Sequence, residues 1–233
     1  MPLRAPADNR LLAALPAADR RRLAAHLEPV VLILADKLSE PGAPVQHVFF
    51  PVDSFVSLIA PCDGHSRLEV GMIGDEGMVG ISLILGVRGS PLHTVVQGGG
   101  SAWRLDAGTL AQQLEVSPAL KRALNRYLYI LFVQLAQTAA CTRFHVVEAR
   151  LARWLLMTRD RAHSSSFRIT QEFLAYMLGV RRAGVTRAAG SLQSRKLIRY
   201  HRGNLEILDA RGLEAAACGC YATDQETYAH VTG

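Results

Sequence analysis

Two successive arginines, Arg181 and Arg182, begin a stretch of the sequence that also carries Thr186 and Arg187. In a helix that starts at these arginines, all four side chains are expected to face outward. A guanidinium fork can donate two hydrogen bonds to O6 and N7 of guanine, and helices that read DNA present their N-terminal residues to base edges in the major groove. The four residues therefore predict a surface for base recognition. An ordinary helical hairpin with a solvated basic face is the alternative.

The residues around Arg181 predict the elements that would hold this helix in place. Thr170 is suited to cap a preceding helix, Ala175 is small enough for a second helix to cross closely, and Gly179 is suited to end the first helix. The second helix has its own apolar face, made of Val185, Ala188, Ala189 and Leu192. This pattern is that of a helix-turn-helix.

Two short strands are predicted after the second helix, around a turn at Arg202, Gly203 and Asn204. Such a hairpin is the wing of a winged helix. Its Arg199, His201 and Arg202 are expected to lie near DNA phosphates, where contacts give affinity and register but no sequence information.

The positive charge of the chain is concentrated in this region. Residues 141–212 carry fourteen basic and five acidic side chains, whereas residues 1–140 carry twelve of each. This distribution is typical of a nucleic-acid-binding module. A winged helix that binds only another protein is the alternative, and the salt dependence of DNA binding would distinguish the two.

The first half of the 233-residue chain alternates short apolar runs with turn residues. Short amphipathic helices are predicted within residues 8–27, and strands follow from about residue 29. The apolar side chains of Leu68, Val70 and Met72 alternate with Arg67 and polar or small residues, as in a half-buried strand. Many short strands at this spacing predict a β-sandwich or jelly roll.

A long helix is predicted to begin at Ser117 and Pro118, since serine caps free N–H groups and proline has none to satisfy. Four leucines in this helix are spaced four, three and four residues apart, as in a coiled-coil seam: Leu124, Leu128, Leu131 and Leu135. We expect them to form a dimer interface, and packing within the subunit is the alternative.

A further helix should place Val147, Leu151, Trp154 and Leu155 on one face and its arginines, including Arg150 and Arg153, elsewhere.

The predicted fold class is α+β, with a β-roll, a long dimerisation helix and a winged helix-turn-helix. The expected domains are residues 1–117 for the sensor β-roll, 118–144 for the helix and hinge, and 145–233 for the DNA-binding domain with a C-terminal tail. No signal peptide and no apolar stretch of membrane-spanning length is recognised, so a cytoplasmic protein without a membrane partner is expected.

This order of elements resembles the Crp/Fnr family of bacterial transcription regulators. The resemblance covers nearly the whole chain and includes the phrases HVFFP, GDEGMVG, MLGVRR and LIRY. It implies a cyclic-nucleotide-binding-like β-roll, a homodimer formed through the long helix, palindromic DNA sites, and RNA polymerase as a further partner. It also implies a change in the relative orientation of the two recognition helices, transmitted along the long helix near residues 136–144.

The resemblance assigns roles to individual residues of the helix-turn-helix. Arg182 matches the family's guanine-reading arginine, and Arg187 matches a second basic position near base edges or phosphate. Thr170 and Gln171 match positions near the DNA backbone. Ala183 stands where the family often has a glutamate that accepts from cytosine, so a different DNA site is implied.

The sensor half departs further from the family pattern. Gly80 is followed by Ile81 rather than by the ribose-binding glutamate, and Arg88 lies a few residues before the expected phosphate-binding arginine. Glu76 is a candidate substitute, although a turn carboxylate is the simpler interpretation. An effector pocket would use Glu76, Gly80 and Arg88, but cyclic AMP is not predicted and the cofactor is unknown.

The cysteines do not form a recognisable ligand set in the sequence. None precedes Cys62, so the N-terminal iron–sulfur cluster of oxygen-sensing relatives is not supported. Cys218 and Cys220 form a C-x-C pair, but two ligands do not make a tetrahedral site, so no metal is predicted. Cys141 is expected to be a small buried residue at the hinge.

Three other classes of function remain as alternatives. A haem-sensing regulator would need an axial ligand such as His47, His65 or His93, and a redox-sensing one would use the cysteines. A cupin-like metalloenzyme would need clustered ligands such as a His-x-His pair, which does not occur in the sequence. Nucleotide-binding loops and a nucleophile elbow are likewise absent, so no enzyme is predicted.

Overall fold

The structure, a computed structural model, describes residues 8–61 and 67–232. The chain forms two compact units, one made of Met1–Leu58 and Met72–Leu131 and the other of Ile59–Gly71 and Phe132–Gly233. This division differs from the expected domains, because Ile59–Gly71 of the first half belongs to the second unit. The first expected boundary, at residue 117, does not separate the two units.

The first unit holds most of the strands, as the alternating pattern predicts. In chain order, the elements of this half are α1 (Arg10–Ala13), α2 (Ala17–Ala24), β1 (Glu28–Leu32), β2 (Lys37–Ser39), β3 (His47–Pro51), β4 (Phe55–Pro61), β5 (Arg67–Ile73), a 3₁₀ helix (Ile81–Leu85), β6 (His93–Gly98), β7 (Gly100–Asp106) and α3 (Ala107–Val116). They form a three-stranded sheet in the order β1-β7-β3 and a four-stranded sheet in the order β2-β6-β4-β5. The β-roll fold class is confirmed.

Alternation of side chains between sheet faces builds the core of this unit. In β3, Val48 and Phe50 are fully buried while His47 and Phe49 are only half-buried. The antiparallel partner β7 contributes Leu105 opposite Val48. The pairing register is therefore set by the face that must leave water.

The helix α4 (Pro118–Phe144) continues from the first unit into the second. It begins where the sequence predicts, because the Ser117 hydroxyl oxygen accepts a hydrogen bond of 3.1 Å from the backbone N–H of Leu120. Leu124 and Leu131 are 0% and 4% exposed in the single chain. The prediction that these two leucines form a dimer seam is therefore corrected, since their side chains are already packed within the subunit.

The exposed apolar surface of α4 lies on a neighbouring face. Phe132 and Tyr129 are 65% and 56% exposed, and Leu128 and Leu135 are half-buried. Leu128, Phe132, Leu135 and Ala139 are spaced four, three and four residues apart, which keeps the periodicity of a seam while changing two of its members. We call these four residues the α4 stripe.

The second unit contains the remaining elements. They are α5 (Val147–Ala162), β8 (Ser166–Arg168), α6 (Gln171–Leu178), α7 (Arg182–Ser194), β9 (Ile198–His201), β10 (Asn204–Ile207), α8 (Ala210–Ala216) and α9 (Cys220–Thr232). The expected C-terminal tail is thus two helices. Among residues 8–61 and 67–232, no helix has both the length and the apolar character needed to span a membrane.

The sequence prediction for two arginines of α5 is wrong. Arg150 and Arg153 were expected away from the packed face, but they are only 8% and 5% exposed. A buried guanidinium needs a charged partner, and Arg153 forms an ion pair of 2.6 Å with Asp224 of α9, although its Nε has no hydrogen-bond partner within the described part of the chain. These two charges therefore belong to the interior of the second unit.

Replacing Leu124 tests the revised assignment of the α4 faces. Leu124→Ala should lower the free energy of unfolding by about 2–5 kcal/mol, because it removes buried methyl groups and leaves a cavity. Urea denaturation followed by circular dichroism measures the change. Leu85→Ala makes the same substitution at a 63% exposed site and should change stability by less than about 0.5 kcal/mol. Equal losses in the two variants would place Leu124 outside the core.

Candidate nucleic-acid interface

The first helix of the predicted helix-turn-helix begins and ends through the residues that the sequence indicates. The Thr170 hydroxyl oxygen accepts a 3.1 Å hydrogen bond from the backbone N–H of Phe173. Gly179 ends α6 with a φ of +62°, and the N–H of Val180 donates to the carbonyl of Ala175 across 3.0 Å. A Cβ on Gly179 would lie 2.9 Å from Leu68 Cδ1, so both backbone conformation and space favour glycine. Both cap predictions are confirmed.

The second helix, α7, packs through the apolar face that the sequence predicts. Its buried residues are Val185, Ala188, Ala189 and Leu192, and α6 buries Leu174, Ala175, Met177 and Leu178. Arg150 of α5 donates to the carbonyl of Leu178, where a cation suits the negative end of α6. Burial lowers the pKa of Arg150. The inner side of α7 is fixed by these contacts, and its opposite side faces solvent.

The outer side of α7 carries the residues predicted to read bases. Arg181, Arg182, Thr186 and Arg187 are all exposed. The Thr186 hydroxyl donates to Gln171 Oε1 across 2.7 Å, which joins the start of α6 to the middle of α7. The four side chains are therefore accessible to a partner, and their contact with bases stays a prediction.

The wing is a three-stranded sheet in the order β8-β10-β9. His201 pairs with Asn204, so the turn consists of Arg202 and Gly203 alone, and Asn204 is the first residue of β10 rather than a turn residue. Both turn residues have positive φ, +48° and +81°, as in a type I′ hairpin. His201 and Arg202 are exposed at its tip.

The third predicted wing contact, Arg199, has a carboxylate beside it. Its guanidinium lies 2.6 Å from Glu206 Oε2 on the neighbouring strand, and its side chain is 67% exposed. An exposed pair of this kind contributes little to stability and can exchange partners. Arg199 is thus on the predicted surface, but Glu206 offsets its charge.

Tyr200 attaches the wing to the rest of the second unit. Its hydroxyl donates to the carbonyl of Ile169 across 2.8 Å, and its backbone N–H donates to Gln193 Oε1 of α7 across 2.7 Å. Burial raises the pKa of Tyr200, and the nearby charge of Arg182 acts in the opposite direction. The wing and α7 therefore hold a defined relative position.

The sequence reasoning missed one basic residue of this surface, Arg168. It is exposed at the end of β8 and pairs in register with Asn204, next to the wing turn. The sequence indicates the exposed position of Arg168 through the alternation of Phe167, Arg168 and Ile169, which is typical of a strand with one face in solvent. Other arginines of the segment are engaged elsewhere, as in the 2.9 Å ion pair between Arg195 and Glu148.

Two of the candidate effector residues, Glu76 and Gly80, have structural roles in the first unit. Glu76 is 7% exposed and accepts a 3.1 Å hydrogen bond from the N–H of Gly74, with the Arg10 guanidinium 3.8 Å away. Gly80 has a φ of +91°, and a Cβ there would lie 2.9 Å from Val48 Cγ1. Arg88 is exposed. The effector pocket remains a prediction, and Glu76 fits the turn-carboxylate interpretation.

Two of the candidate haem ligands, His47 and His93, lie in the first unit. His93 Nδ1 is 2.7 Å from Glu40 Oε2, and hydrogen bonds from Lys37 and then His93 lower the pKa of that carboxyl group. His47 pairs with Asp106 between β3 and β7. Cys62 and His65 lie outside the described residues.

Four potential metal ligands converge in the second unit. The donor atoms of Cys141, His145, Cys218 and Cys220 all lie within 4.8 Å of one another. The prediction of no metal rested on the C-x-C pair lacking further ligands, and this reason is wrong because the fold supplies two more. Local sequence could not reveal them, since 77 positions separate Cys141 from Cys218.

Comparison with known proteins gives a consistent assignment. Residues 149–216 match the Crp-like helix-turn-helix domain. Comparison with curated sequences gave no match.

Solved structures with 12–20% identity share the fold over 82% of this chain. A CRP/FNR-family transcriptional regulator from Thermus thermophilus has 20% identity and a TM-score of 0.68, over 82% of this chain and 98% of that one. The c-di-GMP-responsive regulator CLP of Xanthomonas campestris has 19% identity and a TM-score of 0.68, over 82% and 99%. FixK2 of Bradyrhizobium japonicum has 12% identity and a TM-score of 0.70, over 82% and 98%. The chain thus carries a Crp-like helix-turn-helix domain within the fold of the Crp/Fnr transcription regulators.

Proposed function

We propose that this protein binds double-stranded DNA at specific sites as a homodimer and regulates transcription. The observation that carries the proposal is the exposed face of α7, where Arg181, Arg182, Thr186 and Arg187 lie opposite the buried face of a Crp-like helix-turn-helix. The proposal places the protein in the cytoplasm, where bacterial DNA and RNA polymerase are accessible. Regulation rather than catalysis is proposed.

The proposed interface divides into residues that read bases and residues that hold the phosphates. Arg182 at the start of α7 reaches guanine O6 and N7, and Arg187, one turn later, contacts a base edge or phosphate. Ala183 is exposed beside Arg182, and its methyl group suits an apolar contact such as the thymine methyl. Because Ala183 stands where many family members have a glutamate, the preferred DNA site should differ from the site of those members.

Backbone contacts come from both sides of α7. Thr170 and Gln171 lie at the start of α6, where free N–H groups and the helix dipole favour phosphate. His201 and Arg202 at the wing tip, and Arg168 beside it, add positive charge on the other side. Arg199 joins them when DNA phosphate competes with Glu206. These contacts set affinity and register rather than sequence preference.

Dimer formation through the α4 stripe would place two recognition helices on one face of the DNA. Phe132 is large, apolar and 65% exposed, and burying such a side chain between subunits is favourable. A two-fold symmetric dimer favours a palindromic site with half-sites about 34–36 Å apart. Control by a small effector would act by changing the pose of the two helices through residues 136–144 of α4.

Arg182→Ala should relax sequence preference at one base pair of each half-site. The expected loss is about 1–3 kcal/mol on the best site, because a bidentate contact to guanine is removed. Competition binding against a set of singly substituted sites measures it. Arg211→Ala removes an exposed arginine from α8 and should leave the preferences unchanged. Unaltered discrimination in Arg182→Ala would reject the base-reading role.

Arg202→Ala should weaken binding to all sequences by a similar factor, since a phosphate contact at the wing tip carries no sequence information. The slope of log K against log salt should become shallower by about one unit. Fluorescence anisotropy over a salt series provides both values. A loss confined to particular base pairs would contradict the placement of the wing. Binding without salt dependence in the wild type would instead favour the protein-binding alternative.

Phe132→Arg should convert the dimer to monomers, because two guanidinium groups would be buried face to face in the α4 stripe. Sedimentation velocity measures the change in mass. Val116→Arg introduces the same charge at a 57% exposed apolar residue of α3 and should leave the mass unchanged. A Phe132→Arg protein that remains dimeric would place the interface elsewhere.

A further inference from the structure

The four converging ligands come from two places in the second unit. Cys141 lies in the last turn of α4 and His145 directly follows that helix, four residues later, with its N–H donating to the Cys141 carbonyl across 3.1 Å. This spacing puts both side chains on one side. Cys218 lies between α8 and α9, and Cys220 begins α9. The three cysteines are buried, and His145 is exposed.

The separations between the donor atoms suit a single tetrahedral ion. Cys141 Sγ and Cys218 Sγ are 3.5 Å apart, and Cys220 Sγ is 3.4 Å from His145 Nδ1. With Zn–S near 2.3 Å and Zn–N near 2.0–2.1 Å, a tetrahedron has edges of about 3.8 Å between sulfurs and about 3.6 Å between sulfur and nitrogen. An iron–sulfur cluster would hold ligands of different irons further apart than the 4.8 Å limit that contains all four atoms.

The surroundings favour thiolates, which are the form that binds metal. A hydrogen bond from Cys218 lowers the pKa of Cys141 to about 4. A hydrogen bond from His145 and the charge of Arg153 also lower this pKa, whereas burial acts to raise it. The same hydrogen bond and burial raise the pKa of Cys218. Cys141 and Cys218 thus share one hydrogen bond of 3.5 Å, which an ion bound between the two sulfurs would replace.

Groups around the ligands resemble the outer shell of a metal site. Gln137 Nε2 lies 3.0 Å from Cys220 Sγ, where its N–H can donate to a thiolate. Arg153, held 2.6 Å from Asp224 and 3.3 Å from the Thr138 hydroxyl, puts a fixed positive charge beside Cys141. Three thiolates, one neutral imidazole and a divalent ion leave a net charge of minus one, next to the Arg153–Asp224 ion pair, whose own charges cancel.

A disulfide between Cys141 and Cys218 explains less of this arrangement. It would require the sulfurs to approach from 3.5 Å to about 2.05 Å. It would also use only two of the four groups, leaving the convergence of Cys220 and His145 without a purpose. All four ligands are accounted for by one ion.

We propose that Cys141, His145, Cys218 and Cys220 bind one Zn²⁺ ion in a closed tetrahedral site. Binding displaces the remaining thiol protons to solvent and forms three Zn–S bonds and one Zn–N bond. Four protein ligands leave no open position, so the ion has a structural role rather than a catalytic one. It ties the end of α4 to the start of α9 and stabilises the second unit. This proposal does not depend on DNA binding.

Metal analysis of the full-length protein tests the proposal. The protein should be purified under reducing conditions with an affinity tag that lacks histidine, and zinc measured by inductively coupled plasma mass spectrometry. About one ion per chain is expected, as for a four-ligand site. Cys220→Ser and His145→Ala should each reduce the content, while Cys62→Ser, which removes a cysteine outside the ligand set, should not. Zinc well below one per chain in folded wild-type protein would overturn the proposal.

Two further measurements keep the test decisive if the variants fold poorly. Wild-type protein stripped of zinc and refilled with Co²⁺ should show the intense visible absorption of a tetrahedral cobalt–thiolate centre, and an octahedral spectrum would contradict the ligand set. Removing zinc by chelation should lower the melting temperature of the wild type. Peptide mapping of the untreated protein that finds a Cys141–Cys218 disulfide in place of metal would overturn the proposal in favour of a redox pair.

Discussion

The packing of α7 against α6 is the constraint on which the proposed function depends. Val185 and Leu192 are fully buried, and a helix that buries one face must turn the opposite face to solvent. The phase of the apolar residues therefore decides that Arg182 and Thr186 point outward. A shift of the helix by one residue would turn either Arg187 or Thr186 toward the core, and burying a polar group without a partner is unfavourable.

The same unit separates its arginines into two groups with different roles. Arg150 and Arg153 are buried and satisfy a helix C-terminus and a carboxylate, so they hold the scaffold together. The arginines at the start of α7 and at the wing tip remain exposed, where they can exchange water and counterions for phosphate. Net charge alone does not distinguish these groups, because only the fold decides which charges are neutralised internally.

Much of the architecture could be predicted because its signals are local. The Thr170 cap, the Gly179 end and the buried face of α7 each depend on a few neighbouring residues. The faces of α4 could not be assigned in the same way, since much of the surface of that helix is apolar and only tertiary packing selects Leu124 as core. The cysteine–histidine cluster needed the complete fold, because the ligands meet only after α8 and α9 return to the end of α4.

Selection of genomic fragments with the purified protein, followed by binding to the enriched DNA over a salt series, tests the central claim most directly. The account predicts a two-fold symmetric motif with half-sites one helical turn apart, bound by a dimer with an affinity that falls steeply as salt increases. If no motif is enriched, even when cell extract supplies any small effector, and binding to DNA stays weak, the assignment of α7 as a recognition helix is contradicted.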